Sequence, residues 1–302
     1  MVKQISNLSQ VIYIREYVIQ SGRENGVEVI ELNNPHLRVL LNKSKALDIM
    51  QIFHQGMNIS FISKNGFSTR SDEFIKRFEG GMLFTVGLDS AGVREGFPLH
   101  GSFHNLKPNI FKKEITDKEI VVEAFIEDSE LFGKHLVLKR RYVLGLDSSE
   151  LLLSDELINK GDKDENYCLL YHNNVGYPML DVGGRIEINA KEVLPRTNYA
   201  DEKKNEWNII TEPIDLQEET CYFIDVKDGQ AIYINNNLKK KLTIKFNKEC
   251  LPEFVLWKSM RSGDYALGLE PSTTKLDDSF KYSVIKKNVS IHFEISYRIE
   301  NI

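Results

Sequence analysis

The chain has 302 residues, 41% of them hydrophobic and 10% aromatic, and a formal net charge of −5 carried as mixed charges. That is apolar material enough for a substantial core, while the lack of a basic stripe disfavours nucleic acid as a partner. No apolar run reaches the roughly 18 residues of a membrane helix, and residues 1–7 lack the continuous apolar stretch of a signal peptide. Three cysteines (Cys168, Cys221 and Cys250) are odd in number and show no metal-type spacing. They read as free thiols in a reducing compartment, so a cytoplasmic location is expected.

Period-two alternation predicts strands at 26–32, 37–41, 82–88, 119–127, 135–144, 151–158, 167–172, 207–211, 221–226, 231–234, 241–246, 253–257 and 290–298. In the last of these, Ile291, Phe293, Ile295 and Tyr297 share one face, opposite Ser290, His292, Glu294, Ser296 and Arg298. Polar turn clusters at 161–166 and 235–240 separate such runs. Helical periodicity is weak; residues 69–78, with Phe74, Ile75 and Phe78, are the best short candidate. Many short strands without a Pro- or Gly-rich linker or an internal repeat predict one antiparallel all-β domain spanning residues 1–302.

Three polar strings stand out, each with a bland alternative. In Leu267-Gly268-Leu269-Glu270-Pro271 the proline keeps Glu270 extended and is expected to end the ladder. Ala266 and Gly268 would leave open space beside the carboxylate; alternatively Glu270 is a solvated strand-end residue. His172 closes an apolar run and precedes Asn173-Asn174, a set able to hydrogen-bond several hydroxyls, or simply a capped turn. His100 and His104 lie four apart, which on a helix would suggest half of a metal site. Pro98 and Gly101 argue against a helix there, and no third ligand is close in sequence. The glycine-bracketed stretch 80–89 lacks phosphate-loop spacing, and no Gly-x-Ser-x-Gly elbow occurs. Two imidazoles and a carboxylate suffice for acid–base chemistry on a small polar substrate without metal or cofactor.

In order along the chain, Gly80-Gly81-Met82-Leu83-Phe84-Thr85-Val86-Gly87-Leu88, Leu99-His100-Gly101 with Asn105, and Leu170 to Leu180 around His172 form a distinctive set. With Trp257-Lys258 and Gly268-Leu269-Glu270-Pro271, this set resembles the aldose 1-epimerase (galactose mutarotase) superfamily, nearest an uncharacterised branch of it. The resemblance implies a galactose mutarotase-like β-supersandwich of mostly antiparallel strands with a sugar held in a cleft on one sheet. It further implies that Glu270 is the general base for the anomeric hydroxyl, His172 the general acid at the ring oxygen, and His100 a supporting imidazole. Arg77, Asn105, Asn173, Asp225 and Lys258 are the substrate-binding candidates. Where related sequences commonly carry Arg-Gly, this chain has Lys45-Ala46, and lysine lacks the planar two-pronged donor of arginine. The expected partner is a small-molecule sugar, with no nucleic acid or membrane, for a monomer or homodimer. A sugar-binding protein without chemistry, or a metal-dependent isomerase or lyase using His100, His104, His172 and Glu270, are the alternatives.

Overall fold

Successive side chains of an extended backbone point to opposite faces, so alternating sequence becomes half-buried strand. The computed structural model describes residues 4–70 and 72–302. Its first ten strands are β1 (Tyr13–Val18), β2 (Glu28–Asn33), β3 (Leu37–Asn42), β4 (Ile49–His54), β5 (Met57–Asn58), β6 (Leu83–Leu88), β7 (Asn109–Ile115), β8 (Glu119–Ser129), β9 (His135–Gly145) and β10 (Glu150–Asn159). The remainder are β11 (Glu165–Gly176), β12 (Arg185–Glu187), β13 (Ala190–Pro195), β14 (Thr220–Val226), β15 (Gln230–Asn235), β16 (Lys240–Phe246), β17 (Glu253–Arg261), β18 (Asp264–Ser272), β19 (Ser283–Ile285) and β20 (Ser290–Asn301).

Three sheets result. β1 to β5 pair in chain order; β12, β15, β16, β20, β10, β9, β8 and β7 form the second sheet in that order. The third runs β13, β14, β17, β18, β11 and β19, with β6 also pairing β11. Pairing between these strands is antiparallel throughout. This is the antiparallel all-β architecture expected from the alternation. One apolar cluster joins the three sheets, from Ile30 and Leu41 through Leu138 and Leu153 to Tyr171, Leu269 and Tyr297. The alternation at 290–298 is realised, with Phe293, Ile295 and Tyr297 buried on one face of β20.

Two local expectations fail. Residues 207–211 do not form a strand but a turn after a short 3-10 helix, with one isolated bridge at Ile209. The carbonyls of Glu206 and Ile209 both curl in to accept from the Lys258 ammonium at 2.8 Å, which an extended segment could not do. The helix expected at 69–78 shrinks to α1 (Phe74–Arg77), residue 71 lying outside the described residues.

Behind β11 the core holds a polar network. Arg140, fully buried, donates from Nε at 3.0 Å and from Nη2 at 2.7 Å to Asp155, and from Nη1 at 2.5 Å to Asp48. Tyr171 on β11 donates to Asp155 at 2.9 Å, and Thr85 on β6 donates to Asp48. Buried charges persist only when paired and hydrogen-bonded, and removing one partner strands the others. Arg140→Met is therefore expected to cost about 3–5 kcal/mol, read as a lower midpoint in chemical denaturation.

Candidate active site

Alternation along β11 sorts its side chains. Leu169, Tyr171 and Val175 face the main core, whereas Cys168 and Leu170 join a smaller cluster with Phe84, Val86, Cys221, Phe223 and Val255. His172 continues that second face and emerges in a cleft of about 810 Å³. Asn173 turns the other way. Its Nδ2 donates to the Tyr171 and Leu269 carbonyls at 3.1 and 2.7 Å, and its Oδ1 accepts from the Tyr297 hydroxyl at 2.7 Å. Asn174 returns to the His172 side, its Nδ2 donating to the Gly81 and His172 carbonyls. Its Oδ1 and the Nδ1 of His172 are both buried without a hydrogen-bond partner among the described residues.

Glu270 sits on β18 opposite Val255, 1% exposed. The ladder does not stop at Pro271: Ser272 still pairs with Glu253 and Leu170, because proline removes only its own N–H. Nor is the space above Gly268 open. A Cβ there would overlap the Glu270 Oε1 and press on Trp257, so the glycine makes room for the carboxyl itself. Oε1 lies 3.2 Å from Nε2 of His172, in contact but not aligned as a hydrogen bond.

His100 completes the group from a different element. Its backbone is left-handed (φ 63°), a conformation that costs a non-glycine residue about 1–2 kcal/mol. The turn is held by His100 N–H donating to the Gly92 carbonyl at 3.2 Å, by Gly92 N–H donating to His100 Nδ1 at 3.3 Å, and by Asp89 accepting from Ser102. With Nδ1 accepting, the neutral ring carries its proton on Nε2. The His100 and His172 rings stand 6.0 Å apart, walled by Phe74 and Phe78. Trp257 lies 5.5 Å from His172, its Nε1–H fixed on Glu219 at 2.7 Å.

Electrostatics follow from dryness. Burial, with the Glu219 charge adding to it, pushes the Glu270 carboxyl well above the usual carboxylate range despite the Arg196 cation. Burial and the neighbouring His100 push His172 down to about 3. Burial, Arg196 and Arg77 push His100 down to about 4. Burial thus drives both groups toward their uncharged forms, a protonated carboxyl and a neutral imidazole.

The other sequence candidates lie elsewhere. Arg77 is buried between the Phe74 and Phe84 rings, donating from Nη2 to the Gly101 carbonyl at 3.4 Å, behind the His100 turn. Asn105 ends a short 3-10 helix and does not line the cleft. Asp225 is exposed beside Lys191, 3.6 Å away. Lys258 faces away from Trp257 and Ser259, and burial brings its amine down to about 8. His104 is buried between Asp48 at 2.7 Å and Glu79 at 3.1 Å. Burial disfavours its charge, but those hydrogen bonds outweigh it and raise its pKa. Both its nitrogens are thereby committed, away from His100 and His172. Lys45 also belongs to this buried group, 3.2 Å from Glu79. Arg196, Trp257, Glu219 and Cys221 line the cleft without having been singled out as site residues. Trp257, one of only two tryptophans, offered a signal; Arg196, after a proline at a strand end, did not.

The chain belongs to the family described as Domain of unknown function (DUF4432), which matches residues 24–281. No curated protein matches it. Its fold is similar to that of a Klebsiella pneumoniae protein provisionally classed as an aldose 1-epimerase, with a TM-score of 0.86 at 20% identity over 95% of this chain and 83% of the other. It is also similar to a galactose mutarotase-like protein of Clostridium acetobutylicum, with a TM-score of 0.73 at 17% identity over 97% and 100% of the two chains. Together they establish the aldose 1-epimerase-like fold, in a branch without an assigned function.

A carboxyl that binds its proton more tightly folded than unfolded favours the fold below its ordinary pKa of 4.5, and that advantage disappears as pH rises through the raised value. Glutamine has no such dependence. Glu270→Gln should therefore match or exceed the parent Tm, by a margin that grows toward alkaline pH in thermal unfolding.

Proposed function

We propose that the chain is an aldose 1-epimerase-type isomerase that binds a free sugar in the cleft and interconverts its anomers. The observation that carries this reading is the buried Glu270 carboxyl 3.2 Å from His172, with His100 beside them in an enclosed aromatic cleft. Anomer exchange needs one proton removed and another delivered. Glu270 as carboxylate takes the proton from the anomeric oxygen, the carbonyl forms at C1, and the C1–ring-oxygen bond breaks. His172 as imidazolium protonates the departing ring oxygen, while the Nε2–H of His100 donates to the sugar. Movement of the shared proton from the Glu270 carboxyl to His172 forms this reactive ion pair from the uncharged resting pair, and ring opening returns it to the uncharged pair that burial favours. Rotation about C1–C2 and the reverse transfers close the ring on its other face.

The free thiols fit a cytoplasmic location. Among the described residues no helix is long and apolar enough to cross a membrane.

Each positioned acid or base contributes about 10²–10⁴-fold. Glu270→Gln should keep sugar binding and lose anomer exchange by that order, read by saturation transfer between anomer signals across a panel of free sugars. Wild-type exchange in the mutant removes Glu270 from the mechanism; sugar binding without exchange in the parent protein identifies a binder that does no chemistry.

The productive pair carries one proton, so exchange should fail at both ends of the pH range. It is lost as pH falls toward the values of about 3 and 4 at which the imidazoles gain a second proton. It is lost again as pH rises through the elevated Glu270 pKa. His172→Asn should lower the rate constant far more than affinity, because its proton is delivered only in the chemical step.

A further inference from the structure

The cleft extends well past the acid–base groups. Along β17 the residues lining it are Val255, Trp257, Ser259 and Arg261, alternate positions of one strand. At the rise of an antiparallel strand that run is roughly 20 Å. Register sets Glu270 opposite Val255 and Asp264 opposite Arg261, so the acid–base pair occupies one end and the β17–β18 turn the other. Between these two acids, β18 contributes only Ala266 and Gly268 on that side. A lone pyranose covers a fraction of this length, and about 810 Å³ is the size of cleft that encloses a much larger ligand.

The far end is equipped for hydroxyl groups. Lys64 lines it together with Ser259, Arg261 and Asp264 and spans the gap to Asp264 at 2.7 Å, while the neighbouring Ser63 and Asn65 donate to the Phe78 and Ile75 carbonyls. Arg196, Arg261 and Glu218 have no ion-pair partner among the described residues. Lys64, Arg196 and Arg261 are balanced by Glu218, Glu219 and Asp264. Mixed donors and acceptors of this kind suit an uncharged polyol, whereas a phosphate would call for an excess of cations.

We propose that the cleft takes a reducing oligosaccharide, its reducing ring at Glu270 and His172 and at least one further uncharged ring on Ser259, Arg261 and the Lys64–Asp264 pair. The chemistry at the reducing ring rests on the isomerase reading; the second subsite is tested by binding alone.

The experiment uses the full chain with glucose, galactose, maltose, cellobiose, lactose and glucose 6-phosphate, measuring affinity, saturation transfer to each ring and anomer exchange. At least one disaccharide should bind about tenfold or more tighter than its component monosaccharides, with saturation reaching both rings. Arg261→Ala should lower the disaccharide-to-monosaccharide affinity ratio about tenfold. Equal affinities with saturation confined to the reducing ring, or tighter binding of glucose 6-phosphate, overturns the proposal. Two-ring binding without exchange of any sugar upholds the subsite and defeats the isomerase reading. Absence of binding by every sugar overturns both.

Discussion

The site depends on keeping a carboxyl and an imidazole in contact where water cannot solvate either. Glu270 and His172 are 1% and 6% exposed, and that exclusion drives both toward uncharged forms. Much of the surrounding structure maintains it. Gly268 yields the volume in which the carboxyl lies, Trp257 covers it while tied to Glu219, and Phe74 and Phe78 close the side toward the imidazoles. The left-handed His100 is a strained residue at this same point, as sites that must aim a side chain often require.

One strand connects this dry pair to the stability of the fold. β11 presents His172 to the cleft and Tyr171 and Asn173 to the interior, where they bond Asp155 and Tyr297. The Arg140–Asp155–Asp48 network thereby anchors the strand from behind, and Thr85 on the neighbouring β6 joins it. His104 extends the network to Glu79 and Lys45 and stacks on Phe84 at 3.8 Å. Phe84 in turn touches Phe74 and Phe78, so charge buried in the core braces the aromatic wall of the cleft. Stability concentrated behind the sheet coexists with a carboxyl whose burial works against stability in front of it, a division common at functional sites.

The sequence was most legible where one face of a strand is buried and the other is not, as in β20. Strands β1, β7 and β13 escaped because they are exposed on much of both faces and carry no alternation to read. Residues 207–211 misled in the opposite sense: an apolar β-like string that tertiary contacts with Lys258 bend into a turn. At the site, His100, His172 and Glu270 were marked out by their local strings and by resemblance, and the fold brings them to one cleft. Which neighbour of His172 shares that cleft was not legible, since a single step along a strand reverses the face. Asn173 points inward for that reason. Arg196 and Glu219 were invisible because their role comes from three-dimensional proximity to Glu270, reached through β13 and β14 rather than through any local pattern.

The protonation state of the Glu270–His172 pair is the most direct point of attack on this account. Histidine labelled with ¹⁵N, with His172 assigned by comparison with His172→Asn, reports the charge and tautomer of each ring as pH is lowered. His172 should remain neutral through its ordinary value of 6.5 and gain a proton only as pH approaches about 3. A His172 that titrates near 6.5, as a solvated imidazole does, would contradict the dry pairing with Glu270 on which the structure of the site and its proposed chemistry rest.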